Sequence, residues 1–298
     1  MLGEVDLNKN LSKKEYKEMM DVLAPKFSAL QREARKKGLP VMIVFEGWGA
    51  SGKGTLINRL IQPLDPRGFK VFTVQEENEE ERMHPYLWRF WTKTPQKGRI
   101  HIFDRSWYRR VITEQMDQPM SQKKLASSYQ QILSFEEQLA ADGTLIIKFF
   151  LHISADEQEK RLKKLERSPE TKWRVTKADW KHFKQYKGYF PMYDYMLEQT
   201  DMAWAPWHVI EAMDREYAAL KVMAVAAKMM EERLRKMDRV KQSEKEAENA
   251  SDVPLDFQET VRTSVLDGVD MSLSMTKEAY KKRLAQLQDE LMRLHNEM

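Results

Sequence analysis

The chain contains no cysteine among its 298 residues. That excludes a disulfide framework, a thiolate metal site and a cysteine nucleophile, and it suits a reducing compartment. No stretch approaches the roughly 18 consecutive apolar residues of a membrane span. The opening residues, MLGEVDLNKNLSKKEYKEMM, carry no apolar signal core. A soluble, cytoplasmic protein is therefore expected. Histidine is scarce, and the six present (His84, His101, His152, His182, His208 and His295) show no metal-ligand spacing. No Ser-His-Asp arrangement is arguable from them. Charge of one sign is not dominant either: 50 Lys and Arg stand against 46 Asp and Glu, net +4. That excess alone implies no polyanion partner. Hydrophobic residues make up 42% and aromatics 10%, enough to bury a core, so bulk disorder is excluded.

The pattern alternates helices with short apolar runs. Ser12 to Glu15 reads as a capping box opening a helix to about Lys37, closed by Gly38 and Pro40. Val41–Phe45 is an all-apolar strand of the kind buried on both faces. A helix is expected from about Lys53 to Ile61, then a turn at Asp65–Gly68 and a strand at Phe69–Val74. Glu79 to Trp91 reads as one helix. Strands follow at Arg99–Phe103, Thr144–Leu151 and Trp207–Ile210. Helices are expected at Gln122–Ala141, from a Ser154 cap to about Arg167, and from Glu216 to Lys236. Strands alternating with helices predict a parallel five-stranded sheet covered on both faces.

Composition shifts after about Lys241. Residues 241–298 hold 8 Lys/Arg and 12 Asp/Glu, while the preceding 240 hold 42 and 34. The basic excess belongs to the first part. The expected organisation is a domain at 1–240 with a lid at about 160–185, an acidic linker at 241–264, and an amphipathic helix within 265–298. That last segment repeats the first: eight of 30 positions are identical between residues 5–34 and 269–298, with no gap. Both copies space apolar residues by four and three, at Tyr16, Met20, Leu23, Phe27, Leu30 and at Tyr280, Leu284, Leu287, Leu291, Leu294. Two unrelated amphipathic helices would share such a period. A second domain copy beginning near residue 265 would also produce it.

The strongest local signal is Gly47-Trp48-Gly49-Ala50-Ser51-Gly52-Lys53-Gly54, between a strand and a helix. That context suits a phosphate-binding loop, in which backbone amides and the helix N-terminus face a phosphate and Lys53 reaches the transferring group. A glycine-rich turn with no ligand is the alternative. Gly54 stands where such loops usually carry Ser or Thr, and Thr55 follows one position later. Asp104, ending an apolar strand, suits a metal-organising carboxylate, and Arg105 beside it suits phosphate. Alone, such an Asp is more often a cap or an ion-pair partner. The cationic run 160–174, with Lys163, Lys164 and Arg174, fits a lid over phosphates, or else a solvated basic helix face. Arg82, Trp88 and Arg89 add cationic and stacking groups near a possible groove.

The loop GWGASGKG, the turn LDPRGFKV, the segment EEERMHPYLWRFW, FDRSWYRRV, WRVTKADWKHFKQY and APWHVI together resemble the polyphosphate kinase 2 family. The resemblance spans roughly residues 5–235. It looks like the class that acts as polyphosphate:AMP phosphotransferases, many with two fused copies, of which this would be the first. The resemblance implies a P-loop kinase fold, similar to thymidylate kinase, with a helical lid. It implies magnesium-dependent transfer of the terminal phosphoryl group of inorganic polyphosphate to an adenine nucleotide, AMP foremost and ADP as alternative. No nucleic acid or membrane partner is expected, and homo-oligomerisation is. By motif, Lys53, Asp104 and Arg105 would be catalytic, with Asp104 organising the metal. Gly47, Trp48, Gly49, Ala50, Ser51, Gly52, Gly54, Thr55, Arg109, Lys163, Lys164 and Arg174 would bind phosphate. Arg67, Arg82, Trp88 and Arg89 would line the nucleotide or polyphosphate groove. One departure stands out: active members usually carry Asp where this loop has Gly49. An impaired copy that binds polyphosphate or scaffolds an assembly is the alternative this implies.

Overall fold

The computed structural model describes residues 2–250, 268–270 and 272–297. They fall in two compact units, Met1–Glu246 and Ala247–Met298. In the first unit, β1 (Val41–Gly47), β2 (Phe69–Thr73), β3 (Ile100–Asp104), β4 (Leu145–His152) and β5 (Trp207–Glu211) form one sheet. Its order is β2-β3-β1-β4-β5 and every pairing is parallel. The helices are α1 (Lys13–Lys37), α2 (Lys53–Ile61), α3 (Glu79–Arg82), α4 (Trp88–Trp91), α5 (Thr113–Asp117), α6 (Gln122–Ala141), α7 (Ala155–Arg167), α8 (Lys177–Lys184), α9 (Tyr186–Thr200) and α10 (Arg215–Ala250). A parallel five-stranded sheet flanked by helices is what the residue pattern predicts, and it agrees with the P-loop-kinase type of α/β fold that the resemblance implies. No described helix is long and apolar enough to cross a membrane.

Local chemistry explains most boundaries. Ser12 and Glu15 form the reciprocal capping box, and Gly38 closes α1 in the left-handed conformation at φ 73°. β1 and β4 are buried along their whole lengths, as central strands covered on both faces must be. Two expectations need correction. Glu79–Trp91 is not one helix but two single turns, α3 and α4. Pro85 lies between them; it has no N–H to give a helix and disfavours helical backbone at His84. The long helix does not end near Lys236 but continues to Ala250, so the first ten residues of the expected acidic linker are helical. Residues 251–264 of that linker lie outside the described residues.

Lys148 is the unusual residue of the core. It sits mid-strand in β4, fully buried. Its ammonium lies 2.8 Å from the equally buried Glu136 of α6, 2.9 Å from the Tyr108 hydroxyl and 2.8 Å from the Thr200 carbonyl. Glu136 also accepts from Trp107 Nε1 at 2.9 Å and from the Tyr108 hydroxyl at 2.7 Å. Every group here is satisfied, so removing one charge is worse than never having had the pair. Lys148→Met alone should cost about 3–5 kcal/mol of stability, by stranding a buried carboxylate. Adding Glu136→Gln should return part of that, since Gln still accepts from Trp107 and Tyr108. Urea unfolding followed by tryptophan fluorescence measures both; equal losses in the single and double variants would refute the pairing argument.

Candidate functional site

The carboxyl ends of β1 and β3 open into a cleft of about 630 Å³. Its wall includes Glu46, Gly47, Trp48 and Gly49 from the glycine-rich loop, Arg105 and Arg109 from the segment after β3, and Arg174, Asp179 and Lys181 from the segment across it.

The loop is shaped by close approach. At Gly47, with φ 128°, an added Cβ would lie 2.4 Å from the Leu151 carbonyl oxygen of β4, so only glycine fits. Gly52 turns the chain into α2 at φ 101°. Trp48 borders the cleft, and its indole is packed among aromatic rings. It is buried, donates to His152 Nδ1 at 2.9 Å and stacks on Tyr186 at 3.9 Å. Arg161 of α7, also buried, clamps the loop from behind. Its guanidinium donates to the Ser51 carbonyl at 2.9 Å and to the Ala212 and Met213 carbonyls at 2.7 and 2.9 Å, while Glu157 pairs with it at 2.6 Å.

Lys53 opens α2 and curls into the loop, donating to the Gly47 and Trp48 carbonyls at 3.0 Å each. Burial lowers its pKa to about 8; the Arg105 charge pushes the same way, and Asp104, Glu46 and Asp179 oppose. Glu46 is pushed up by burial, with the Ser106 hydroxyl bond at 2.7 Å, Lys53 and Arg105 pulling down. Asp104 ends β3 with its carboxylate toward the start of α2, 4.0 Å from where a Cβ on Gly54 would be. Arg105 adopts φ 65°, uncommon for a non-glycine residue, while its amide bonds the Phe45 carbonyl at 3.0 Å. Such backbone persists only where its surroundings hold it, and is often found at functional sites. Arg109 pairs with Glu76 at 3.5 Å and Glu114 at 3.7 Å.

The structure thus brings together Gly47, Trp48, Gly49, Arg105, Arg109 and Arg174 at the cleft, with Lys53, Asp104 and Gly54 beside it. Other expected site residues stand elsewhere. Ser51, Gly52 and Thr55 border a small separate cavity against Ala212, Arg215 and Ala218. Ala50, at φ 56°, carries the loop between Gly49 and Ser51. Lys163 and Lys164 line a second groove on the outer face of α7, with Lys160 and Arg167. Arg67 is exposed and paired with Asp65 of its own turn at 2.9 Å; it borders a groove at the amino-terminal ends of β2 and β3. Arg89 is buried and committed to Glu81 at 3.1 Å. Trp88 stacks on His84 at 4.0 Å, and Arg82 ends α3; none of these three borders the cleft.

One contributor escapes the sequence reading, Gln158 in the cleft wall, while Arg161, which belongs to the cationic run expected of the lid, stands behind the loop. Gln158 is buried, its Oε1 has no hydrogen-bond partner, and its Nε2 lies 3.1 Å from where a Cβ on Gly49 would be. The Ser154 cap places Gln158, Arg161 and Leu162 on one helical face, which is the signal that would have found them.

A family model described as polyphosphate kinase 2 matches residues 10–238. A polyphosphate:AMP phosphotransferase of Pseudomonas syringae pv. tomato is 35% identical over 231 residues, which is 78% of this chain and 46% of that protein. An AMP/ADP-polyphosphate phosphotransferase of Meiothermus ruber is 32% identical over 215 residues, covering 72% of this chain and 80% of that one. The crystal structure of polyphosphate kinase 2 from Arthrobacter aurescens superposes with a TM-score of 0.74 at 26% identity, over 77% of this chain and 84% of that one. The chain spans about half the length of the polyphosphate:AMP phosphotransferases it matches.

The lowered Lys53 pKa has a measurable consequence. Below pH 8 the ammonium is charged before any anion arrives. Above it, binding must take up a proton, so affinity for an anion falls as pH rises, up to tenfold per unit. Calorimetric titration with inorganic triphosphate from pH 7 to 9 should show this decline. Lys53→Arg, whose charge does not titrate in that range, should lack the Lys53 part of the slope. Identical slopes in the two proteins would refute a contribution from Lys53.

Proposed function

The chain belongs to the polyphosphate kinase 2 family, and on that premise we propose that it transfers the terminal phosphoryl group of inorganic polyphosphate to an adenine nucleotide, AMP first and ADP second. The observation that carries this is the convergence of a phosphate-loop lysine, a strand-end Asp104 and the cations Arg105, Arg109 and Arg174 around one cleft. In the reaction an oxygen of the nucleotide phosphate attacks the terminal phosphorus. The bond to the bridging oxygen breaks, and the polyphosphate leaves one unit shorter. A loose transition state spreads negative charge over the transferring oxygens, so the protein's task is positioning and neutralisation. Lys53 and the loop amides hold the transferring group, while Arg105 and Arg109 hold the chain of phosphates. Arg174 and α8 form the side that closes over them, which is the proposed lid at about 160–185.

Magnesium fits this donor set. The ion is usually held by one or two carboxylates and completed by substrate phosphates. Among the described residues no group of three or more carboxylates or histidines gathers to make a cage of its own, and Asp104 faces the loop helix. Asp104 would hold the ion, which when bound neutralises charge on the phosphates.

A second reading rests on Gly49. The loop lacks a carboxylate there, and the buried Gln158 amide lies over the place. A copy so altered would bind polyphosphate, or support a partner domain, with little turnover. Domain organisation belongs to the same proposal: residues 1–240 as the phosphotransferase domain, and 265–298 as a repeat of its N-terminal segment.

Incubation with polyphosphate, magnesium and AMP or ADP, with products separated by chromatography, tests both. Turnover by the wild type, lowered about 100-fold or more in Lys53→Ala, supports the enzyme. Polyphosphate binding without turnover, with activity appearing in Gly49→Asp, supports the impaired copy. Neither binding nor turnover refutes both.

A further inference from the structure

At the end of the sheet away from the cleft, a second groove of about 500 Å³ opens along the amino-terminal halves of β2 and β3 and the turn that leads into β3. It shares no lining residue with the cleft. Because every strand runs the same way, Arg99 stands just before one end of β3 and Asp104 at the other, with about 13 Å of strand between them.

Arg67, Lys70, Lys93 and Arg99 line this groove, and no carboxylate does. Arg67 is compensated by Asp65 at 2.9 Å and Lys93 by Glu81 at 3.2 Å. Glu81 also serves the buried Arg89 at 3.1 Å, so one carboxylate there answers two cations. Lys70 and Arg99 make no ion pair and no side-chain hydrogen bond among the described residues. Lys70 is exposed, but Arg99 is half-buried, and a charge withdrawn from water ordinarily has a counter-charge. His101 borders the same groove and is only 7% exposed. Lys70 stands opposite it in the β2–β3 register. Its Nδ1 lies 2.8 Å from the Lys93 carbonyl, which can only accept, so Nδ1 carries the proton. Nε2 is left with no hydrogen-bond partner among the described residues. Burial lowers the imidazole's pKa and the carbonyl bond opposes; the Lys70 and Arg99 charges push it down further, and no carboxylate offsets them.

We propose that this groove is a second anion site, separate from the cleft, and that its ligand is a chain of linked phosphates. Four cations drawn from the turn before β2, from β2 and from the run into β3 answer a ligand with several charges. Linked phosphates supply those charges at close spacing. Lys70 and Arg99 are the two that have no carboxylate to give up when the anion arrives. An anion beside His101 also favours the charged imidazole, which adds Nε2 as a donor. A free inorganic chain and the triphosphate tail of a nucleotide share this chemistry. The inference does not rest on phosphoryl transfer at the cleft.

The test follows the His101 imidazole by NMR in the full chain labelled with 15N-histidine, its resonance assigned by its loss in His101→Gln. The probes are inorganic triphosphate, long-chain polyphosphate, ATP and AMP. Triphosphate should move the resonance saturably, in the wild type and equally in Lys53→Ala, whose change lies at the cleft. Lys70→Gln with Arg99→Gln should weaken that response about tenfold or more, the loss expected of two charge-assisted bonds. The same pair should leave the melting temperature unchanged, since neither side chain holds anything in the free protein; Lys70→Gln alone, at an exposed position, gives a smaller loss in the same direction. A response to ATP as well supports the site and admits nucleotide tails to it. A response to the inorganic chains alone supports it and restricts it to them. No movement of His101, a response that AMP matches, or one that the double substitution leaves intact overturns the proposal. A response lost in Lys53→Ala belongs to the cleft and overturns it too. Absence of turnover at the cleft changes none of these readings.

Discussion

An ammonium in the middle of a strand covered on both faces must find a partner or lose its proton. Lys148 meets that demand with Glu136, and the surrounding sequence follows from it. Burial pulls the lysine's pKa down and the carboxylate opposes it. Glu136 ties α6 to the sheet, Tyr108 and Trp107 tie the segment after β3 to both, and the Thr200 carbonyl brings in the end of α9. Burying a charge pair is a poor way to gain net stability. Here it joins three elements to the sheet through directional bonds that hydrophobic contact alone does not supply. The residues so fixed, Trp107 and Tyr108, stand between Arg105 and Arg109. The position of two cleft cations is thus set from inside the core.

The second constraint is cationic crowding around a short loop. Lys53 and Arg105 repel, Arg161 stands behind, and Glu46, Asp104 and Asp179 are the nearby counter-charges. Lys53 rests on its own loop's carbonyls, which are acceptors of ordinary strength in a site stripped of much water. The proposed polyphosphate would relieve the cationic side of this arrangement, because a polyanion supplies several formal charges at close spacing and releases counterions in doing so.

Much of this was legible from residues alone. The capping box at Ser12, the boundaries of α2, α6 and α7, and the loop between strand and helix follow from local chemistry and match the structure. A helical period alone runs through α3 and α4, and Pro85 is what divides them. The helix α9 is not legible from residues alone, because Gly188 and Pro191 interrupt its apolar period. The α7 cations show a different failure. Counting charge along 160–174 groups Lys163 and Lys164 with phosphate binding. A helical projection separates them: Lys160, Lys163, Lys164 and Arg167 fall on one face, Gln158, Arg161 and Leu162 on the other. The structure puts the first set on the outer groove and the second against the loop. Direction around the helix, not charge, decided which residues reach the loop.

Gly49 shows why fold and chemistry separate in such a domain. The loop's path is held by Gly47 against Leu151, by the Trp48 indole in its aromatic nest, by Gly52 at its turn and by Arg161 on the Ser51 carbonyl. None of these contacts uses the side chain at position 49. A carboxylate there answers only to what the cleft does, and its loss leaves the loop's supports in place. A folded loop of the right shape therefore carries no guarantee of turnover. By the same reasoning, placing a carboxylate there asks little of the scaffold: the nearest obstacle is the Gln158 amide nitrogen, from which a carboxylate would accept a hydrogen bond.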